Sequence, residues 1–214
     1  MNILNIHIII EGTCLLAALL FLRKTKGWWG WFIAFLAAVV LIELTATYLW
    51  NELKRSTFPV YNFGYFPIYF AFSSFLLYRL CRPLFKIQPW ISLITGLIAV
   101  SYLTENIWNH FESLSVKTFL LANVCYIVIA CCYYYHLLND EAFVDIKRHP
   151  PFWIITGLLF FCFGSTANYI FYDILKEIYL KYNLLLRQYL MIVVNFLLYG
   201  CWSYAFLCKY REMK

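Results

Sequence analysis

The chain has 214 residues, of which 64% are hydrophobic, 21% aromatic and only 13% charged, and its mean hydropathy is +0.70. A water-soluble domain averages about 45–50% apolar and about 25% charged residues, and a globule of this size has too much surface to hide so apolar a composition; a soluble enzyme, a disordered tail and a nucleic-acid module are excluded. The formal net charge of +6 then marks the cytoplasmic ends of membrane helices rather than a nucleic-acid partner, and the class is a polytopic membrane protein.

Seven apolar runs follow one another along the chain. The first, Ile3–Leu22, is read as a retained helix, because residues Met1 to His7 contain no Lys or Arg to form a basic n-region and Glu11 interrupts what would be the apolar core of a signal peptide. The second, Trp28–Trp50, opens with Trp28, Trp29 and Trp31 beside a basic loop, an interfacial anchor. The third, Gly64–Leu80, is short and contains Pro67, and the fourth, Gln88–Thr104, has Pro89 at its start, where proline is tolerated. The remaining runs are Thr118–Leu138, Phe152–Tyr172 with Trp153 as an anchor, and Leu184–Cys208. The expected fold is all-α, a bundle of seven transmembrane helices in one domain over residues 1–214.

Basic residues orient the bundle. One set of short loops holds Arg23, Lys24, Lys26, Arg79, Arg82, Lys86, Lys147, Arg148, Lys209, Arg211 and Lys214; the other side holds Lys54, Arg55, Lys117, Lys176, Lys181 and Arg187. Eleven against six places the N-terminus outside and the C-terminus in the cytoplasm. On the outer side, Ile107, Trp108, Phe111 and Leu114 recur at helical spacing within Glu105–Lys117, so this stretch is either a short amphipathic turn on the membrane or ordinary loop packing. The Tyr61–Tyr69 segment, with Asn62, Gly64 and five aromatic rings, is either a lid or pocket wall or an interfacial belt.

Ionisable groups inside spans are expensive and point to function. Glu11 lies roughly 12 Å and Glu43 roughly 10 Å below the outer ends of their helices. Asn123, Ser165, Thr166, Asn168 and Gln188 occupy outer halves too, with Asn195 near mid-membrane and Ser101 and Thr104 closing the fourth span; His136 is the main polar group of the inner halves. Helical spacing gathers His7, Glu11, Cys14 and Ala18 on one stripe, Gly157, Gly164 and Asn168 on another, and Gln188, Asn195, Tyr199 and Trp202 on a third. If these faces converge they line an outward-facing polar pocket, with Glu11, Glu43, Asn123, Asn168, Asn195 and Tyr199 as its ligand-binding residues. The competing reading makes each Asn, Ser and Thr interhelical glue worth about 0.6 kcal/mol.

Other chemistries lack their residues. The last span has no lysine for a retinal Schiff base, and no histidine follows Gly164-Ser165 to complete a serine dyad. The four histidines divide between the two sides, and His136 with Asp140 is a weak pair at a helix end. None of the eight cysteines forms a CxxC pair, so neither a zinc site nor a disulfide framework is expected; they are read as small packing residues. No cofactor, metal site or catalytic residue is assigned.

The Pro150-Pro151-Phe152-Trp153 run, then Gly157, Gly164-Ser165 and Asn195, is similar to small uncharacterised seven-helix integral membrane proteins of Bacteroidota, relatives of which appear beside or fused to signalling kinases; unlike the fused forms, this sequence ends at Lys214. The resemblance covers the general plan of the chain and implies a multi-pass protein of the bacterial inner (cytoplasmic) membrane with a sensory role. It carries over no site residue. The expected function is recognition of a small ligand or membrane component, with signalling through a membrane or cytoplasmic partner at Asn139–Pro151 or the C-terminal tail. The alternatives are a proton-coupled small-solute transporter and a scaffold subunit of a membrane complex.

Overall fold

The computed structural model describes residues 3–25, 27–83, 86–139 and 145–213, with side chains from Ile6 onward. Among the described residues the protein is all-helical: α1 (Ile3–Leu22), α2 (Gly30–Asn51), a π-helical turn (Val60–Tyr65), α3 (Phe66–Cys81), α4 (Gln88–Trp108), α5 (Val116–Asn139), a 3-10 turn (Ile146–Arg148), α6 (Pro150–Ile170), α7 (Tyr172–Tyr182) and α8 (Leu186–Glu212). Five of them, α2, α4, α5, α6 and α8, are long and apolar enough to cross a membrane. α4 makes the point locally: only Ile91, Ile98 and Asn106 are buried, while Trp90, Leu93, Val100, Leu103 and Ile107 are exposed, a distribution that water would penalise and hydrocarbon rewards.

The chain forms two compact units, Met1–Ala37 with Val144–Lys214, and Ala38–Phe143. In the first unit α8 is the central element. α1 packs along it in parallel, in a constant register: His7 meets Asn195, Cys14 faces Ser203, and the Phe21 and Tyr210 rings lie 5.6 Å apart. The expected stripe is the buried one, with Glu11, Cys14, Ala18 and Leu22 all turned inward, because residues at steps of three and four share a helix face. α6 runs antiparallel to α8. Its two glycines make this possible: a Cβ on Gly157 would stand 2.9 Å from the Leu198 carbonyl oxygen and 3.0 Å from Cys201 Cβ, and one on Gly164 would collide with Val194. Small residues spaced by seven on one face let the two backbones close up. Trp202 Nε1 donates to the Ile154 carbonyl at 3.1 Å, and Phe32 meets Trp202 and Phe206 edge-on, both at 5.2 Å.

The second unit is built on α3 and α5, again parallel in a constant register. Asn62 lies opposite Ser115, Phe66 stacks on Phe119 at 5.1 Å, Tyr69 bonds Asn123 and Ser74 bonds Tyr126. α4 runs antiparallel to α5, joined at one end by Asn106 to Ser115 and by Glu105 to Thr118. The π-helical turn runs without a break into α3, and Pro67 explains its place: proline cannot donate to the carbonyl four residues earlier, and a locally widened turn accommodates the lost bond.

Of the two readings of Glu105–Lys117, the connecting loop fits, since α4 continues to Trp108 and α5 begins at Val116. The loop between them turns through left-handed residues His110 (φ 50°) and Phe111 (φ 60°). The amphipathic helix lies elsewhere, at α7, between the sixth and seventh expected runs. Asp140 falls outside the described residues, so its pairing with the exposed His136 is not described.

Candidate functional site

In the first unit the polar groups follow the α1–α8 seam. Asn195 Nδ2 and His7 Nδ1 lie 2.9 Å apart. One turn along α1 stands Glu11, only 3% exposed, and the constant α1–α8 register sets it at the level of Tyr199, itself buried. A further turn on is Cys14, opposite Ser203. A buried carboxylate thus sits in a line of polar side chains linking two helices, where a change in its protonation would act on their contact. Asn168 occupies the α8-facing stripe of α6 with Gly157 and Gly164; it is buried, and its Oδ1 has no hydrogen-bond partner among the described residues.

In the second unit Asn62 is the hub. It is fully buried, at 0% exposure. Its Nδ2 donates to Asn106 Oδ1 at 2.5 Å, its Oδ1 accepts from the Ser115 N–H at 3.0 Å, and its carbonyl accepts from Tyr102 Oη at 2.7 Å. Asn106 Nδ2 in turn donates to the Tyr102 carbonyl and to Ser115 Oγ. The network is closed: each side-chain amide donates and accepts. Beside it, Glu105 supplies the N-terminal cap of α5 from the end of α4. Its Oε1 accepts from the Lys117 N–H at 3.0 Å, and its Oε2 from the Thr118 N–H and Thr118 Oγ1, both at 2.7 Å. A carboxylate at a helix N-terminus meets both free N–H groups and the positive end of the helix dipole.

Next to this cap the outer faces of α4 and α5 part in a cleft of about 440 Å³, lined by Ser101, Thr104, Glu105, Trp108, Asn109, Lys117, Thr118 and Leu121. Trp108 is 84% exposed. An anion, a cation, an amide, hydroxyls and an aromatic plane therefore share one small depression.

The six residues expected to bind ligand are distributed as follows. Asn195 is held by His7, Glu11 and Tyr199 share a level of the α1–α8 seam, and Asn168 faces α8, all in the first unit. Glu43 and Asn123 belong to the second: Glu43 Oε2 accepts from Tyr61 Oη at 2.9 Å, and Asn123 Oδ1 accepts from Tyr69 Oη at 2.8 Å. None of the six lines the α4–α5 cleft. Gln188, placed on the Asn195 stripe, is exposed. The Tyr61–Tyr69 segment makes bracing contacts, through Asn62, Tyr61 and the Tyr65–Tyr69 stack at 5.8 Å, and lines no part of the cleft. Asn62 stands out in the sequence only within the Tyr61–Tyr69 segment and Asn106 not at all, and nothing along the chain pairs them. Glu105, read as a loop residue, had a capping signal only in its position before a helix start, and its reach to α5 depends on the loop that follows.

Among the described residues no three His, Cys, Asp or Glu side chains come together as a metal site, and all eight cysteines are free thiols. No family model, no curated protein and no solved structure matches the chain.

Proposed function

We propose that the chain crosses the bacterial inner membrane seven times, with its N-terminus outside and its C-terminus in the cytoplasm, and recognises a small polar ligand at its outer face. Five helices are long and apolar enough to cross, and the reading takes α1 and the continuous run from the π-helical turn through α3 as the other two crossings. Helix directions within each unit support this: α1 with α8 and α3 with α5 are parallel, and α6 with α8 and α4 with α5 antiparallel, as alternating crossings require if α7 does not cross.

The observation that carries the recognition reading is the α4–α5 cleft. Its volume of about 440 Å³ is within the roughly 300–1,000 Å³ of small-molecule sites, and its carboxylate, Glu105, is held in place by its bonds to the start of α5. Trp108, Asn109 and Lys117 suit a ligand with an anionic group and a flat apolar face. Binding would reach a partner at Asn139–Pro151 or the C-terminal tail through helix shifts. The test is thermal stabilisation of the purified protein in nanodiscs by a panel of small polar metabolites. Stabilisation by a member of the panel, lost in Trp108→Ala and Lys117→Glu without a change in the unliganded melting temperature, supports the reading. No stabilising compound, or one indifferent to both substitutions, rejects it.

Glu11 favours a second reading, proton-coupled transport, because a carboxylate buried between two spans beside His7 and Asn195 has the setting of a proton site. Flux in proteoliposomes that follows a pH gradient in the wild type and is uncoupled in Glu11→Gln would establish it; ligand binding without flux would return the protein to the receptor reading. A scaffold subunit would instead tolerate these substitutions and co-purify with a fixed partner.

A further inference from the structure

We infer that α7 is an interfacial helix that lies in the headgroup layer of the protein's own membrane, with Ile174, Ile178 and Tyr182 against the acyl chains. Its 11 residues extend about 16 Å, half the roughly 30 Å of a bilayer core. α6 and α8 are antiparallel, so the chain leaves and re-enters on one side, and α7 is what it does there. The helix is separated from both neighbours. Phe171 breaks it from α6 (φ −89°, ψ 17°), and Asn183 ends it in the left-handed conformation (φ 53°, ψ 29°), where asparagine is tolerated.

Among the described α-helices its faces are the most sharply segregated. At 100° per residue, Ile174, Ile178 and Tyr182 form one stripe, flanked by Leu175, which is buried in the protein. Asp173, Glu177 and Lys181 form a second stripe, and Leu180 alone interrupts the charged half. Ile174 is 55% and Tyr182 60% exposed, and neither is covered by protein. Exposed apolar side chains also stand on both adjoining helices, at Phe163 and Ile170 of α6 and at Val193 and Phe196 of α8. Both of those helices are of membrane-spanning length and composition, and α7 joins them directly, which selects lipid as the occupant. The charged stripe excludes the hydrocarbon interior and fixes the depth. Arg187 marks the same level: its guanidinium lies 4.9 Å from the Tyr172 ring and 5.7 Å from the Tyr169 ring, tying the start of α7 and the end of α6 to the start of α8 with the Arg–Tyr chemistry of a membrane interface.

Photocrosslinking tests this. Benzoylphenylalanine is placed singly at 174, 178 and 177 in the full chain, reconstituted in vesicles of phosphatidylethanolamine and phosphatidylglycerol, and the adducts are identified by mass. Lipid adducts several-fold more abundant at 174 and 178 than at 177 are expected. Equal lipid labelling at all three, no lipid adduct at 174, or adducts at 174 confined to a second copy of the chain would overturn the inference. Hydroxyl-radical footprinting of the unsubstituted protein gives the same decision independently: relative to the unfolded chain, Tyr182 is protected in vesicles and Leu180 is not. Equal labelling of the two would reject the interfacial helix.

Discussion

The amide nitrogen of Asn62 donates to Asn106 Oδ1 at 2.5 Å, and both side chains are buried where the π-helical turn, α4 and the start of α5 meet. Asn62→Leu leaves the Ser115 N–H and Asn106 Oδ1 buried without their partner. An orphaned buried polar group costs about 1–3 kcal/mol, so the variant is expected to lose at least about 2 kcal/mol of stability, read as a lowered midpoint of thermal unfolding in detergent. Asn62→Asp keeps the acceptor for Ser115 but sets a second acceptor against Asn106, and is also expected to destabilise. A wild-type midpoint in Asn62→Leu would show that the network is not what holds this end together.

Glu105 caps α5 with both carboxylate oxygens. Glu105→Gln replaces one acceptor by an amide that cannot receive the α5 N–H groups, and a lost cap of this kind costs about 1 kcal/mol. Thermal unfolding reads it, and hydrogen exchange should quicken at Thr118 and in the first turn of α5 while the α3–α5 contact at Tyr126 remains protected. Unchanged exchange at Thr118 would mean that the cap is dispensable.

Two glycines on different faces predict opposite outcomes. Gly157→Ala puts a methyl group against the Leu198 carbonyl and Cys201, where neither backbone can yield; overpacking of this kind costs about 1–3 kcal/mol. Gly12→Ala meets nothing within 4 Å and removes a helix-interior glycine, which stabilises by roughly 0.5–1 kcal/mol. Paired thermal melts decide the matter, and equal effects in the two variants would contradict the close α6–α8 packing.

His149 stands outside the long helices, at the N-cap of α6. Burial holds its imidazole below the ordinary value of 6.5, with the Glu212 carboxylate pulling weakly the other way. The unfolded chain therefore takes up the proton first. Stability is complete above 6.5 and falls as pH drops through 6.5 toward the lower native value. His149→Gln should flatten this part of the pH profile of the melting midpoint, and an unaltered slope would assign it to other groups.

Several features of this protein could be read along the chain because their physics is local. Transfer of apolar side chains out of water depends on composition, and α1 at Ile3–Leu22 and the start of α4 at Gln88 fall where hydropathy set them. The 3.6-residue period alone brings Glu11, Cys14 and Ala18 to one buried face and aligns Gly157 with Gly164. α7 escaped that reading because charges alternate with its apolar residues in a segment too short to span, and its limits depend on the backbone at Phe171 and Asn183.

The identity of hydrogen-bond partners was decided only by the tertiary structure. Asn62 and Asn106 are 44 positions apart, and Asn195 and His7 are 188 apart; which polar group faces which depends on the direction and register of packed helices, to which a one-dimensional period is blind. For the same reason the cleft beside Glu105 and Lys117 emerged from a loop, while Asn123 and Asn195, chosen for burial alone, proved to be bonded to Tyr69 and His7. Hydrophobicity selects the solvent for each helix, and only packing selects its neighbours.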